Sequence, residues 1–296
     1  MRDQESSLAM SQSNHRRKTF SEEKILDLLR WIEAKKKKGA GQGYLDQYSP
    51  WLKTWSVSSH GNKSLVMGWK TNRPHHLLSG LELKAYYHCE WAEAVVDIRE
   101  QFPLLPLQET LGYAEVTKIR HPTNPRTKTP VVMTTDLVLC IREGIRERLA
   151  AVAIKPASEL QKKRVQEKLL LERMFWEERG VLWKVATGDD LSEALYLNMR
   201  WLHSHYSRDY LRGISPPAFI RIREKLIPAV ERRNKGLAQL CADIDQRLRV
   251  PSGSAMEVLR HLLCHRTWQF DMDQLIDLRT PLSLPPKGAT LNPIWT

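Results

Sequence analysis

Two apolar runs rich in β-branched residues, 131–141 and 148–154, stand on either side of Gly144. Runs of this kind predict strands, and the glycine between them predicts a turn. The pair therefore reads as an antiparallel hairpin, and the other elements order themselves around it. Residues 21–37 predict a helix, with Ile25, Leu28, Leu29 and Ile32 at helical spacing. Ser21 can cap it, although Lys24 stands where a capping box would place Glu. A glycine-rich break at 39–43 follows; it lacks the Gly-Lys-Ser/Thr of a phosphate-binding loop. Residues 44–75 read as loop, 77–91 as helix and 95–101 as a strand that Pro103 ends. Residues 104–130 read as loops with room for a short strand, 157–179 as a long helix and 181–186 as a strand. Helix, strand, hairpin, helix, strand is the order of a mixed sheet flanked by helices, an α/β domain over 21–187.

The texture changes after residue 187. Residues 191–206 form an amphipathic pattern, Pro216-Pro217 breaks the chain, and 219–249 and 254–264 read as helical, the last capped by Ser252 or Ser254. Trp268-Gln269-Phe270 reads as a short strand behind them. Helices closed by a small strand suit a winged helix-turn-helix module over 188–296. Residues 1–20 carry no apolar stretch of the kind a signal peptide needs and are expected to be disordered, and the tail from Leu282 is expected to be irregular.

Charge narrows the partners. The chain has 296 residues and a formal net charge of +12, a balance that favours phosphate-bearing partners and is shared by many merely basic proteins. No apolar run is long enough to span a membrane. The four cysteines show neither CxxC nor zinc-finger spacing, which suits reduced thiols and a cytoplasmic location.

Chemistry concentrates on the hairpin. Asp136 sits inside the apolar run Thr134-Thr135-Asp136-Leu137-Val138-Leu139, where a carboxylate is unfavourable unless something pairs it. Lys155 closes the run Ala151-Val152-Ala153-Ile154, and the hairpin should bring it to Asp136. A carboxylate on one strand and a lysine on its neighbour is the skeleton of the PD-(D/E)xK nuclease site, in which carboxylates hold Mg2+ and the lysine serves the attacking water. The same pair is also what a cross-strand salt bridge looks like. Glu82, between apolar residues of the preceding helix, is a second candidate ligand, and equally an ordinary helical glutamate.

Longer strings go further. His75-His76-Leu77-Leu78-Ser79-Gly80-Leu81-Glu82-Leu83, then Val96-Asp97-Ile98-Arg99-Glu100-Gln101-Phe102-Pro103-Leu104-Leu105-Pro106, then Val132-Met133-Thr134-Thr135-Asp136, Ile154-Lys155-Pro156-Ala157 and Leu171-Glu172-Arg173 resemble, in order, the core of the TnsA family of transposase nuclease subunits. The resemblance covers about 39–187; beyond 190 it is one of architecture only. It implies a restriction-endonuclease-like α/β fold with a smaller helical, winged-helix-like C-terminal domain. It implies that Glu82, Asp136, Lys155 and Glu172 are catalytic, with Glu82 and Asp136 holding one or two Mg2+ ions for which Mn2+ can substitute. It implies cutting of double-stranded DNA at the 5′ ends of a transposon, beside a TnsB-like recombinase and a TnsC-like AAA+ regulator. One position departs: the family pattern often has Gln two residues before the lysine, and here it is Ala153. That keeps a catalytically impaired scaffold bridging recombinase, regulator and DNA in play, alongside a restriction or repair nuclease.

Other residues carry weaker signals. Lys118, Arg120, Arg126 and Lys128 are the candidate DNA-backbone contacts of the first domain, and Arg221, Arg223, Lys225, Arg232, Arg233 and Lys235 form a second basic region. The run at 35–38 reads as a helix end or a DNA contact. His75 and His76 suit loop or phosphate contacts better than a metal, Glu90 and Glu93 suit structural roles, and Arg99 and Glu100 suit pairing or DNA. Trp51, Trp55 and Trp69 suit core or interface.

Overall fold

The computed structural model describes residues 22–56, 62–211 and 213–284; the expected disordered N-terminus, the Ser21 cap and the tail beyond 284 lie outside them. The hairpin is present as β4 (Thr134–Glu143) and β5 (Arg146–Ile154), antiparallel and paired from Leu137↔Val152 to Glu143↔Arg146. Gly144, at φ +63, takes the left-handed position that a two-residue hairpin loop demands. On one side β3 (Val95–Pro103) pairs antiparallel with β4, and on the other β6 (Leu182–Ala186) runs parallel to β5, giving the order β3-β4-β5-β6. The mixed sheet expected from the element order is therefore the one observed.

Alternation along the hairpin sorts the core into two faces. Leu137, Leu139, Ile141, Val152 and Ile154 pack with α2 (Gly80–Trp91), whereas Val138 and Ala151 pack with α4 (Lys163–Glu177) and with α3 (Leu107–Val116) through Tyr113 and Ala114. Helix α3 corrects the reading of 104–130 as loops: Leu107, Thr110, Tyr113 and Ala114 are its buried face. The expected helix over 157–179 is a short 3-10 turn at Ala157–Glu159 and then α4.

Ahead of the sheet, α1 (Glu22–Lys37) ends in its lysines as a helix dipole favours, but Lys35 is not a free cation. It donates to Trp51 O at 2.6 Å and lies over the Trp31 and Trp51 rings. The glycine-rich segment after it is not a flexible break. Gly41 and Gln42 pair with Ser49, and a Cβ at Gly41 would stand 2.4 Å from Pro103 Cγ, so β3 closes tightly over this turn. The loop-rich stretch 44–75 contains a small hairpin, β1 (Ser64–Met67) with β2 (Pro74–Leu77), so α2 begins at Gly80 rather than 77.

The C-terminal part is helical: α5 (Glu193–Leu202), α6 (Pro216–Glu231), α7 (Leu237–Leu248) and α8 (Ser254–Cys264). Pro216-Pro217 starts α6 instead of breaking a helix, because a proline needs no partner for its missing N–H in a first turn. Neither Ser252 nor Ser254 caps α8 by side chain; Asp245 does so from α7, accepting from Gly253 N and Ala255 N. Trp268-Gln269-Phe270 is not a strand, and among the described residues no strand follows α8. The apolar core on the α2 face continues without interruption into these helices through Met199, Leu202, Ile222 and Leu259. Trp69 fixes the junction: its indole donates to His203 O at 3.0 Å, and its ring stacks on His203 and Tyr206. Arg266 reinforces it, pairing with Glu93 and donating to Trp91 O. Among the described residues no helix is long and apolar enough to cross a membrane.

Candidate active site

The site lies where β4 begins and β5 ends. Continuing the hairpin register one step beyond Leu137↔Val152 sets Ala153 opposite Asp136. Ile154 N then donates to Asp136 Oδ2 at 2.7 Å, and Lys155 Nζ reaches the same oxygen at 2.6 Å. The expected meeting of Asp136 and Lys155 is thus present, and Oδ1 of Asp136 takes part in neither bond. Burial works against the Lys155 charge, but Asp136 beside it, then Glu172 and Glu82, outweigh burial and hold its pKa above the ordinary value.

Glu82 approaches from α2. Ser79 caps that helix, accepting from Glu82 N at 3.1 Å, and Glu82 answers by accepting from the Ser79 hydroxyl at 3.1 Å and from Leu78 N at 2.9 Å. Ser-x-x-Glu at a helix start is the sequence signature of a capping box, and here the carboxyl takes Leu78 N–H, one residue before the cap. That structural duty holds the carboxyl in place, and it is legible in Ser79-Gly80-Leu81-Glu82 itself. Glu82 also feels the Asp136 charge: burial first, then Asp136, push its pKa up to about 7.

Glu172 comes from α4 and is buried. It accepts from Thr135 Oγ1 at 2.8 Å, and that hydroxyl in turn accepts from Trp176 Nε1 at 2.7 Å. Burial, then the neighbouring Asp136, push the Glu172 pKa up to about 7 against the pull of Lys155. The four candidate residues thus form one electrostatic cluster of three carboxyls and an ammonium.

Gln101 belongs to the same cluster and was not singled out from sequence. It is buried on β3, donates from Nε2 to Glu82 Oε2 at 3.3 Å and accepts from Thr134 Oγ1 at 3.1 Å. Its backbone stands at φ +50, a left-handed conformation that a glutamine adopts only when its surroundings enforce it. A strand pattern gives no hint of this; only the side chain's position between Glu82 and Thr134 does.

The donors here are hard oxygens. No group of three or more His, Cys, Asp or Glu side chains is arranged to hold a metal among the described residues. What is present is a carboxyl pair, Glu82 and Asp136, with the Asp136 charge disfavouring that of Glu82. Such a pair fits a small divalent cation that keeps several waters. Ala153 is fully buried and adds no donor.

Several tempting residues lie elsewhere. His75 and His76 do not lie in a loop facing solvent: they are buried on β2, His75 Nδ1 lying 2.8 Å from Glu100 Oε2 and His76 N donating to Glu100 Oε1 at 3.0 Å. Arg73 completes that knot with two bonds to Glu100, at 2.9 and 2.7 Å. Burial opposes the Glu100 charge, but His75 and Arg73 prevail and hold its pKa far below the usual carboxylate range. Glu100 is therefore internal, and Arg99 pairs with Asp97 at 2.9 Å. Glu90 is structural, accepting from the backbone of Trp69 and Lys70. Trp51 is core, Trp69 is the junction described above, and Trp55 is exposed. Lys118, Arg120, Arg126 and Lys128 are all exposed, before or within the turn that Asn124 organises. In the second basic region Arg221, Arg223, Lys225, Arg232, Arg233 and Lys235 are exposed on or just after α6, with Lys235 paired to Asp243.

Comparison with known proteins supplies the family. Residues 92–188 match the family model described as TnsA-like endonuclease N terminal, a span that holds Asp136, Lys155 and Glu172. Residues 190–272 match the model described as TnsA endonuclease C terminal. The chain is 33% identical to the Escherichia coli transposon Tn7 transposition protein TnsA over 240 residues, 80% of this chain and 84% of that protein. Two consecutive family matches and a shared length of this order leave a single assignment: the chain belongs to the TnsA endonuclease family.

Proposed function

We propose that this chain is a Mg2+-dependent endodeoxyribonuclease that cuts the 5′ ends of a transposon, on the non-transferred strand, while a TnsB-like recombinase makes the 3′ cuts and joins. A TnsC-like AAA+ regulator is the further partner. The observation that carries the reading is the 2.6 Å contact of Lys155 Nζ with Asp136 Oδ2, with Glu82 and Glu172 coupled to the same charge.

Glu82 and Asp136 would hold the ion, with Mn2+ able to substitute. Bound there, a divalent cation polarises the scissile phosphate and lowers the pKa of water. The protein's own residues do the remaining work. Lys155, kept charged, presents an ammonium beside Asp136 where the nucleophilic water and the developing negative charge are oriented. Asp136 is fixed by Ile154 N–H, leaving Oδ1 for a ligand. Gln101 and Ser79 restrain the two Glu82 oxygens. Glu172 keeps Thr135, and hence the start of β4, in register with α4.

Ala153 favours a second reading, a scaffold that binds recombinase, regulator and DNA but cuts poorly. One experiment separates them: transposon-end cleavage with both partners, Mg2+ and ATP, comparing wild type with Asp136→Asn, which still offers Ile154 N–H an acceptor. The nuclease reading expects 5′-strand cuts from wild type that vanish in the variant while 3′ cuts persist. Absence of 5′ cuts from both proteins, with 3′ cutting and joining intact, would establish the scaffold instead.

A further inference from the structure

Helix α4 carries more than Glu172 toward the site. Arg164, Lys168 and Glu172 are four residues apart, so they share one face of the helix, each about 6 Å along the axis from the next. The bond from Thr135 to Glu172 fixes where that face points, which is into the start of β4 beside Asp136. Lys168 is exposed one turn before Glu172, and its ammonium makes no hydrogen bond or ion pair among the described residues. Arg164 stands one turn further out, paired at 2.8 Å to Glu167, which leaves the rest of its guanidinium edge free of ion pairs.

The surroundings of Lys168 are cationic. Partial burial, then Arg164 and Lys155, lower its pKa, so both flanking cations act on it as like charges. Arg164 acts the same way on His121, whose pKa is lowered by burial and then by this arginine. His121 opens the turn that presents Arg126 and Lys128 and follows Lys118 and Arg120. Cations thus stand along this face of α4 from Lys155 through Lys168 to Arg164, and Arg164 is within electrostatic reach of His121, where the loop before β4 begins. Lys155 is paired with Asp136 and Arg164 with Glu167, so Lys168 is the unpaired cation between them; a polyanion relieves the repulsion it meets there while displacing counterions.

We propose that Arg164 and Lys168 grip backbone phosphates of the DNA strand being cut, carrying it from the Asp136–Lys155 site out to the loop that bears Lys118, Arg120, Arg126 and Lys128. This rests on the nuclease reading above and adds how the substrate strand is held. The contact is to phosphate, so it is blind to sequence.

The test uses the full chain and a fluorescent duplex carrying a transposon end, with binding followed by anisotropy over a range of salt concentrations. Lys168→Gln should weaken binding severalfold, equally for a scrambled duplex, and lower the steepness of the log–log salt dependence by about one. Lys168→Arg should restore both, and Lys24→Gln, at the start of α1, should change neither. In the assembled cleavage reaction Lys168→Gln should raise KM for the transposon end more than it lowers kcat. A salt dependence unchanged by Lys168→Gln, or no measurable DNA binding by wild type, overturns the proposal. The nuclease reading fails separately, if wild type and Asp136→Asn both lack 5′ cuts; a lowered salt slope in Lys168→Gln would then still establish the row as a DNA-binding surface.

Discussion

Replacing Glu172 with Gln should make the metal-free protein more stable at alkaline pH. Glu172 has an ordinary pKa of 4.5 and is held at about 7 in the fold, by burial and by Asp136. Between those values the folded protein keeps a proton that the unfolded chain has lost, so stability falls as pH rises from about 4.5 to about 7. At about 1.36 kcal/mol per pH unit, the loss is complete above 7 and amounts to about 3 kcal/mol. Glutamine keeps an acceptor for Thr135 Oγ1 and carries no charge to desolvate. At about pH 8 with chelator present, Glu172→Gln should therefore unfold roughly 5 °C above wild type, and near pH 4 the two should coincide. Thermal unfolding followed by circular dichroism reads this directly. A variant no more stable than wild type at pH 8, or one whose advantage is the same at both pH values, would show that Glu172 is not held protonated by its surroundings. If the gain appears together with loss of 5′ cutting, the carboxyl is retained for catalysis at the expense of the fold.

Glu100→Gln should destabilise by about 3–5 kcal/mol in urea unfolding, because it strips the charge that satisfies Arg73, itself buried in the same knot; a loss below 1 kcal/mol would mean that Arg73 finds solvent or another partner. The folded Glu100 pKa lies below its unfolded value, so its stabilisation is present above the usual carboxylate pKa and is lost as pH falls below it. Gln101→Leu removes one of the two donors to Glu82 Oε2, which keeps Leu78 N–H, and the acceptor of the part-buried Thr134 hydroxyl, at about 1 kcal/mol in all, and should cut the rate of 5′ cleavage at least about tenfold while the circular dichroism spectrum is unchanged; wild-type cleavage would place Gln101 outside the working site.

The hairpin and its chemistry were open to reading because their signals are local. β-Branched alternation, a glycine at the turn and a lone carboxylate in an apolar run require no knowledge of distant residues, and they led to the contact between Asp136 and Lys155. Longer strings led to Glu82 and Glu172. What stayed hidden depends on partners far along the chain. Glu100 meets Arg73 and His75 across 25 or more residues, and no spacing rule announces that. Helix α3 has Leu107, Thr110, Tyr113 and Ala114 at helical spacing, but the surrounding prolines and Gly112 mask the period. Trp268-Gln269-Phe270 misled in the opposite sense. Its burial does alternate, Trp268 and Phe270 inward and Gln269 outward, yet it has no neighbouring strand to pair with, so period two marks a loop pressed onto the core.

The family matches divide the chain near residue 189, but its interior is not divided there. Leu77, Tyr86, Ile98 and Leu139 share one apolar mass with Met199, Leu202, Ile222 and Leu259. Helix α2, which carries Glu82 at its first turn, is roofed by α5 and by the aromatic pile of Trp69, His203 and Tyr206. A gene split at that point would encode two fragments, each exposing half of a hydrophobic interior. The two family-matched parts should accordingly be expressed and transplanted together.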